Sequence, residues 1–188
     1  MKLTQAWVSA AAALLSVSQL PTSLAWGGAG HEIIATIAQI YLHPTALHHV
    51  CDILQPGSST SGASPPCFIS KVASWADQIK RSPQYRYSAP LHYIGALDDH
   101  PSQSCAFPGA RGWAGKRDGN VLAAIRNDTS ILVDFTDGHF DQATAEDALK
   151  FLVHFLGDMH QPLHLTGRDR GGNGDKVTFD GRVTSESE

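Results

Sequence analysis

The sequence of 188 residues is poor in cysteine, in aromatic residues and in charge of either sign. It contains three cysteines, 8% aromatic residues and 17% charged residues, and its formal net charge is -4. A mild acidic balance gives no sign of a broad basic surface of the kind that holds nucleic acid along its backbone. No internal repeat is visible. The hydrophobic content of 42% and the length are typical of one globular domain.

A hydrophobic run long enough to cross a membrane is absent after residue 25. Within the first 25 residues, Lys2 precedes an apolar segment over 6–17, and the small residues of Ser23–Ala25 follow. This order is typical of a signal peptide, so we predict cleavage after Ala25. The predicted organisation is a signal peptide at 1–25 and one domain at 26–188, secreted, with Trp26 as its new N-terminus and no stable membrane association.

The cysteine count after cleavage is odd. Cys51, Cys67 and Cys105 all lie in the secreted part, where disulfides persist. Cys51 and Cys67 can pair, which leaves Cys105 alone and suggests a partner elsewhere. Asn127 begins an Asn-Asp-Thr glycosylation signal, a signal that is also common by chance.

The spacing of apolar residues predicts a mainly α-helical fold. We expect helices over 31–42, from Pro44 towards Leu54, over 68–80 and over 119–133, and a longest helix that ends near His160. Asp118 is the predicted cap of the fourth helix, and Thr144 with Asp147 resembles a capping box for the fifth.

The remaining segments have fewer signals. Residues 83–117 are rich in proline, glycine and aromatics and predict an irregular region. Lys176–Phe179 followed by Asp180 and Gly181 predicts a short hairpin strand and turn.

The ten histidines are the first chemical anomaly, and they are densest over 154–164. His154 and Asp158 are four residues apart, so a helix places them on one face. Zinc takes nitrogen and oxygen ligands near ~2 Å, which suits this pair. Such a pair is more often only hydrogen-bonded, but a carboxylate among so many apolar neighbours needs a compensating cation or donors.

Other candidate metal ligands lie before and after His154 and Asp158 in the sequence. His164 follows Pro162, where a break in the helix can return it to the same face, whereas His160 points elsewhere and is more often structural. His31 begins a predicted helix, Asp77 follows a tryptophan, and His92 lies in an apolar stretch. Each residue taken singly is more often a core or capping residue, so their value lies in the combination.

The ordered motifs WGxxGH, WAD, PLHY, HFLGDMHQPLH and GGNG resemble those of the zinc-dependent single-strand nucleases. That family shares a helical fold with bacterial phosphatidylcholine-preferring phospholipase C. The agreement covers nearly all of 26–181. The resemblance implies a mainly α phospholipase C/nuclease-type fold and hydrolysis of phosphodiester bonds in single-stranded DNA and RNA, which leaves 5′-phosphates. It implies no protein partner.

The resemblance also implies up to three zinc ions. In the family the N-terminal tryptophan binds zinc through its own amino group and carbonyl. Trp26 and His31 would hold one ion, and Asp158 would bridge to a second. The metal ligands implied for the whole chain are Trp26, His31, Asp77, His92, His154, Asp158 and His164. The implied catalytic residues are Asn173, which would contact the scissile phosphate, Asp77 and Asp158.

The chain departs from the family pattern near its end. Ser187 stands where a histidine ligand is expected, and a later aspartate is absent, so two zinc sites are complete and the third depends on His164. We expect the C-terminal part of the fold to be missing and helix faces to be exposed by its absence. Gly95 stands where relatives carry an aspartate.

Some alternatives stay open. Phospholipase C chemistry on lipid headgroups could use the same zinc ions, and a non-catalytic zinc-binding remnant would need only two of them. The aromatic side chain that would stack on a base is not assigned among Tyr85, Tyr87, Tyr93 and Phe107.

Overall fold

The computed structural model describes residues 27–56, 67–98, 106–179 and 181–185. Trp26, Cys105 and Ser187, like the predicted signal peptide, lie outside the described residues. The helices are α1 (Gly28–Tyr41), α2 (Pro44–Leu54), α3 (Trp75–Ile79), α4 (Val121–Thr136) and α5 (Gln142–Asp158). The strands β1 (Lys176–Phe179) and β2 (Arg182–Ser185) form an antiparallel hairpin that pairs Lys176 with Ser185. The predicted mainly α fold and the predicted hairpin are therefore confirmed.

Three short 3₁₀ segments complete the described structure. They span Ile69–Val72, Arg86–His92 and Pro162–Leu165. The third predicted helix, over 68–80, is thus a 3₁₀ turn followed by the five-residue α3. The region over 83–117, predicted to be irregular, contains the second of these segments and positions His92 at its end.

Two predicted caps are wrong. The cap of α4 is Asn120, whose side chain accepts a hydrogen bond from the backbone N–H of Ala123, so Asp118 lies before the helix. The cap of α5 is Asp141, which accepts from the backbone N–H of Thr144. An N-cap side chain has to reach a free N–H two or three residues later, and these two residues occupy that position.

The longest helix, α5, is the centre of the fold. It packs against α4 on one side and against α1, α2 and α3 on others. One core joins Phe151 and Phe155 of α5 to Ile94 and to Val121 of α4. A second core lies between α1, α2 and the segment after Cys67, and it includes Ile69. Because both cores contact α5, the face of α5 between them is shielded from water.

The helix α1 has a second, exposed apolar face. Ile33, Ile37, Ile40 and Tyr41 are 51–84% exposed, while His31 and Ala35 on the other face are buried. Within the described ranges, no helix, α1 included, combines the length and the apolar character that crossing a bilayer requires.

The disulfide between Cys51 and Cys67 is present and buried in the second core. It joins residues 16 apart in sequence. Closing a loop of that length in the unfolded chain is worth about 3 kcal/mol. We expect the double variant Cys51→Ala/Cys67→Ala to lower the free energy of unfolding by about that amount, as measured by urea denaturation. A reducing agent should lower the stability of the unaltered chain equally and leave the variant unchanged; an unequal effect would contradict this role.

Candidate metal centre

Six of the residues named from the sequence lie in one cluster, with their imidazoles and carboxylates facing one another. They are His31, Asp77, His92, His154, Asp158 and His164. They come from α1, α3, the second 3₁₀ segment, α5 and the third 3₁₀ segment. The cluster therefore joins parts of the chain that are up to 133 residues apart, from residue 31 to residue 164.

The Asp158 carboxylate is at the middle of the cluster. Its Oδ2 lies 3.1 Å from His92 Nδ1 and 3.3 Å from His154 Nε2. Its Oδ1 lies 3.4 Å from His31 Nε2 and 3.6 Å from His164 Nε2. Each carboxylate oxygen thus faces its own pair of imidazoles, which is the arrangement that a carboxylate bridging two cations requires.

Asp77 faces the His92 and His154 pair from the other side. Its Oδ1 lies 3.6 Å from His92 Nδ1 and 3.5 Å from His154 Nε2. It also accepts a hydrogen bond from Lys80 Nζ at 2.7 Å. The Asp77 side chain is 24% exposed, whereas the other five residues are almost completely buried. The cluster is therefore open to solvent on the Asp77 side.

These separations fit zinc. A tetrahedral ion with ligand bonds near 2.0–2.1 Å holds its ligand atoms about 3.3–3.4 Å apart. The ligand atoms of Asp77, His92, His154 and Asp158 are 3.0–3.6 Å from one another in the contacts given above and in the 3.0 Å approach of His154 Nε2 to His92 Nδ1. Nitrogen and carboxylate oxygen are donors that zinc takes. Two overlapping groups of three ligand atoms, His31/Asp77/His154 and His92/His154/Asp158, meet the spacing of a metal site.

Backbone carbonyls orient two of the imidazoles. His154 Nδ1 donates to the carbonyl oxygen of Ala73 at 2.7 Å, and His164 Nδ1 donates to that of Gly171 at 2.8 Å. Each bond leaves Nε2 directed at the cluster, as outer partners of metal-binding histidines do. Ile94 N–H donates to the carbonyl oxygen of His164, so the segment after His92 is tied to the segment that contains His164.

The electrostatics favour a protonated His154 between the two carboxylates. Burial alone would lower the pKa of His154, but the Asp158 and Asp77 carboxylates outweigh it and raise that pKa to about 10. Burial lowers the pKa of His92. Burial would raise the pKa of Asp158, but the neighbouring imidazoles hold it well below its usual range. Two carboxylates therefore surround one imidazolium, whose positive charge a metal ion would replace.

Gly157, which the sequence analysis did not identify, makes the cluster possible. A Cβ at this position would lie 2.5 Å from His31 Nδ1, so α1 and α5 approach each other at a glycine. Glycine costs about 1 kcal/mol relative to alanine inside a helix. A glycine within the predicted helical pattern, one residue before the end of α5, was a signal that could have identified it.

We expect Gly157→Ala to weaken zinc binding by about 10- to 100-fold, since His31 must move away from Asp158. Isothermal titration with zinc measures the effect. The matched control is Gly28→Ala, also in a helix, where a Cβ would meet only ordinary contacts with Ser74 at 3.8 Å and beyond. Equal zinc affinity in the two variants would contradict this role of Gly157.

Three further residues that the sequence analysis discussed lie outside the six-residue cluster. Asn173 lies in the loop just after Gly171, and its Nδ2 donates to the carbonyl oxygen of Arg170 at 2.8 Å. His160 is exposed, lies just after the end of α5, and its Nδ1 bonds to the carbonyl oxygen of Leu156 in that helix, as in a structural residue. Gly95 has no room for an aspartate, because a Cβ there would collide with the backbone of 166–167.

Comparisons with known proteins agree with the resemblance that the sequence motifs indicate. The family model for S1/P1 nuclease matches residues 26–185. The chain is 38% identical to "Nuclease S1" of Aspergillus oryzae (strain ATCC 42149 / RIB 40) over 174 residues, which is 93% of this chain and 55% of that protein. It is 38% identical to "Nuclease P1" of Penicillium citrinum over 156 residues, 83% of this chain and 53% of that one.

A plant protein is similar as well. "Endonuclease 2" of Arabidopsis thaliana is 36% identical over 159 residues, which cover 81% of this chain and 50% of the plant protein. The chain thus spans about half the length of the curated relatives that it matches. Since the family model covers most of the sequence and the relatives agree with it, this chain belongs to the S1/P1 nuclease family.

Proposed function

We propose that this protein is a secreted, zinc-dependent endonuclease that hydrolyses phosphodiester bonds of single-stranded DNA and RNA to 5′-phosphate products. The observation that supports it most is the convergence of four histidines and Asp77 around Asp158. The relatives named nuclease and endonuclease support the reaction class.

Each part of the cluster has a role in this proposal. Asp77, His92, His154 and Asp158 would hold one zinc ion, and Asp158 would bridge to a second held by His31 and the Trp26 terminus. Zinc bound there supplies Lewis-acid chemistry towards water and towards the phosphoryl oxygens. The carbonyls of Ala73 and Gly171 keep the ligand nitrogens of His154 and His164 directed inwards.

The solvent-open side of the cluster is where substrate would enter. Asp77 and Lys80 form its edge, and Lys80 places a positive charge 2.7 Å from the Asp77 carboxylate. That charge favours the approach of an anionic phosphodiester. Asn173 would contact the scissile phosphate, and Asp77 and Asp158 would fix the geometry of the reacting centre.

A cleavage assay tests the function. The purified, zinc-loaded chain is incubated with a single-stranded oligonucleotide, the same sequence as a duplex, and short-chain phosphatidylcholine. We expect cleavage of the single strand with 5′-phosphate ends and little of the other two substrates. Cleavage of the lipid alone would support phospholipase C chemistry instead, and bound zinc without any cleavage would support a non-catalytic zinc-binding protein.

The mature N-terminus gives a separate prediction. A free α-amino group has an ordinary pKa near ~8 and can bind a metal, whereas a peptide nitrogen does not. We expect a chain that begins at Trp26 to bind one zinc ion more than a chain that retains Ala25 before it. Metal content per chain, measured by mass spectrometry after dialysis, is the readout. The same zinc content in both chains would show that the terminus is not a ligand.

A further inference from the structure

The surface of α1 that faces away from the metal centre carries an apolar ridge and an apolar groove. The ridge consists of Ile33, Ile37 and Tyr41, which follow one another at intervals of four residues and are each at least 51% exposed. The groove lies beside the ridge and has a volume of about 330 Å³. Its walls are Thr36, Gln39, Ile40, Leu47, Phe68 and Ser70. The ridge and the groove together form the α1 face.

Two polar side chains of the groove wall already have partners within the chain. Gln39 donates through Nε2 to the carbonyl oxygen of Cys67 at 3.0 Å and accepts from the N–H of Ile69 at 2.8 Å. Thr36 Oγ1 donates to the carbonyl oxygen of Glu32 at 2.7 Å. A polar ligand would have to compete with these hydrogen bonds, so the groove favours an apolar occupant.

The charges at the α1 face count against two classes of partner. The helix α1 contains no lysine or arginine, and its one carboxylate is Glu32. One cation, Lys71, lies 5.8 Å from the centre of the Phe68 ring. Nucleic acid is held by several cations along its backbone, and helices that lie on a membrane carry lysine and arginine on their polar side. The α1 face fits neither, so its partner is a protein surface.

The exposed area of the α1 face is large for a monomer. Ile33, Ile37, Ile40 and Tyr41 are 51–84% exposed, and Phe68 is 54% exposed. At roughly 200 Å² for a fully exposed side chain of this size, the five present on the order of 600 Å² of apolar surface. The largest apolar patch on a typical monomer is about 300–600 Å², and each subunit of a standard dimer buries about 800 Å². The five side chains thus supply most of the area that a stable dimer needs.

The α1 face is complementary to itself. In a dimer with two-fold symmetry the same surface meets on both copies, so the symmetry can place each ridge opposite the groove of its partner. Helices pack by inserting ridges of side chains into such grooves. An apolar cavity of about 150 Å³ holds a benzene ring, so a groove of about 330 Å³ has room for the Tyr41 ring of a second copy.

We propose that two copies of this chain form a symmetric dimer through the α1 face. The helix α1 of one copy packs across α1 of the other, with each Tyr41 in the groove of its partner. His31 and Ala35 lie on the opposite side of α1, and the solvent-open side of the metal centre is at Asp77 of α3. Dimerisation therefore leaves the cluster accessible, and the inference does not depend on the proposed nuclease function.

The test measures the mass of the zinc-loaded chain in solution. Size-exclusion chromatography with light scattering is run on the secreted chain from about 1 to about 100 µM, a range that brackets a micromolar dissociation constant. We expect twice the chain mass at the upper concentrations and a dissociation constant of about 10 µM or lower. Non-reducing denaturing electrophoresis separates this dimer from a disulfide through Cys105, because only a covalent dimer survives the detergent.

Matched variants assign the dimer to the α1 face. Ile37→Glu puts a carboxylate at the middle of the ridge, where it would lose water on association, so the dissociation constant should rise at least about 100-fold. The control is Val133→Glu, the same kind of change at a 56% exposed aliphatic residue of α4, which should dimerise like the parent chain. Tyr41→Ser removes the ring that would fill the groove and should raise the constant at least about tenfold. It is the second test if thermal unfolding shows that Ile37→Glu does not fold.

The remaining outcomes would overturn the dimer. A chain that stays monomeric up to about 100 µM would do so, as would a dimer that both Ile37→Glu and Tyr41→Ser leave intact. Oligomers that keep growing with concentration would contradict the two-fold arrangement. A monomer that floats with phosphatidylcholine vesicles, and no longer does so as Ile37→Glu, would assign the α1 face to lipid instead. Single-strand cleavage by a monomeric chain would leave the proposed function standing.

Discussion

Asp158→Asn is expected to lower the rate of single-strand cleavage by about 1,000-fold or more, because removing metal assistance is worth several kcal/mol in the transition state. The side chain keeps its shape, but one oxygen becomes an NH₂ that donates and cannot bind a cation. Both oxygens of Asp158 face imidazole pairs, so one half of the cluster loses a ligand atom and both halves lose the negative charge of the carboxylate. The readouts are the cleavage rate and the zinc content of the same preparation.

The control for this variant is Asp52→Asn, which removes an exposed carboxylate from α2. Asp52 is far in the sequence from every histidine of the cluster. It should cleave at the parent rate. Thermal unfolding of both variants without zinc shows whether the fold is retained. A folded Asp158→Asn protein that keeps its zinc and cleaves at more than a tenth of the parent rate would contradict the role given to Asp158.

Removal of zinc is expected to have the second largest effect, which is a loss of stability of the folded state. A ligand present at 1,000 times its dissociation constant stabilises the folded state by about 4 kcal/mol. For a domain of this size that corresponds to a fall of about 10 °C in the unfolding temperature when a chelator removes the metal. Differential scanning calorimetry with and without the chelator measures it, and an unchanged temperature would contradict a metal-stabilised cluster.

The same experiment has a defined pH dependence. His154 is protonated in the metal-free chain, because its pKa is raised to about 10 by Asp158 and Asp77 against the opposing effect of burial. Zinc must displace that proton, so zinc affinity at the site of Asp77, His92, His154 and Asp158 should fall by about tenfold for each unit of pH decrease between 8 and 6. The stabilisation by zinc should therefore shrink as the pH is lowered, and an affinity that is independent of pH would contradict proton displacement from His154.

The sequence was sufficient to predict those features that depend on residues close together along the chain. Pro44 and the apolar spacing after it predicted α2 with the bounds found, since proline at the first position and helical periodicity act within one element. The spacing of four between His154 and Asp158 placed both on one face of α5 for the same reason. The pairing of Cys51 with Cys67 left few alternatives once the number of cysteines was known.

The rest depended on tertiary contacts that no local pattern encodes. Asp77 and His92 reach the cluster from a five-residue helix and a 3₁₀ segment, so only the family motifs pointed to them. Asn120 rather than Asp118 caps α4 because the N–H of Val121 donates to the carbonyl oxygen of Tyr93, which sets where that helix begins. The close approach of His31 to Gly157 follows from the packing of α1 on α5.

The most direct test of the account is the position of bound zinc. Crystals of the chain that begins at Trp26, grown with zinc, would be measured on both sides of the zinc absorption edge. The account predicts an anomalous peak about 2.0–2.2 Å from the ligand atoms of Asp77, His92, His154 and Asp158. A map without a peak at Asp158, or with zinc held only by other residues, would contradict it.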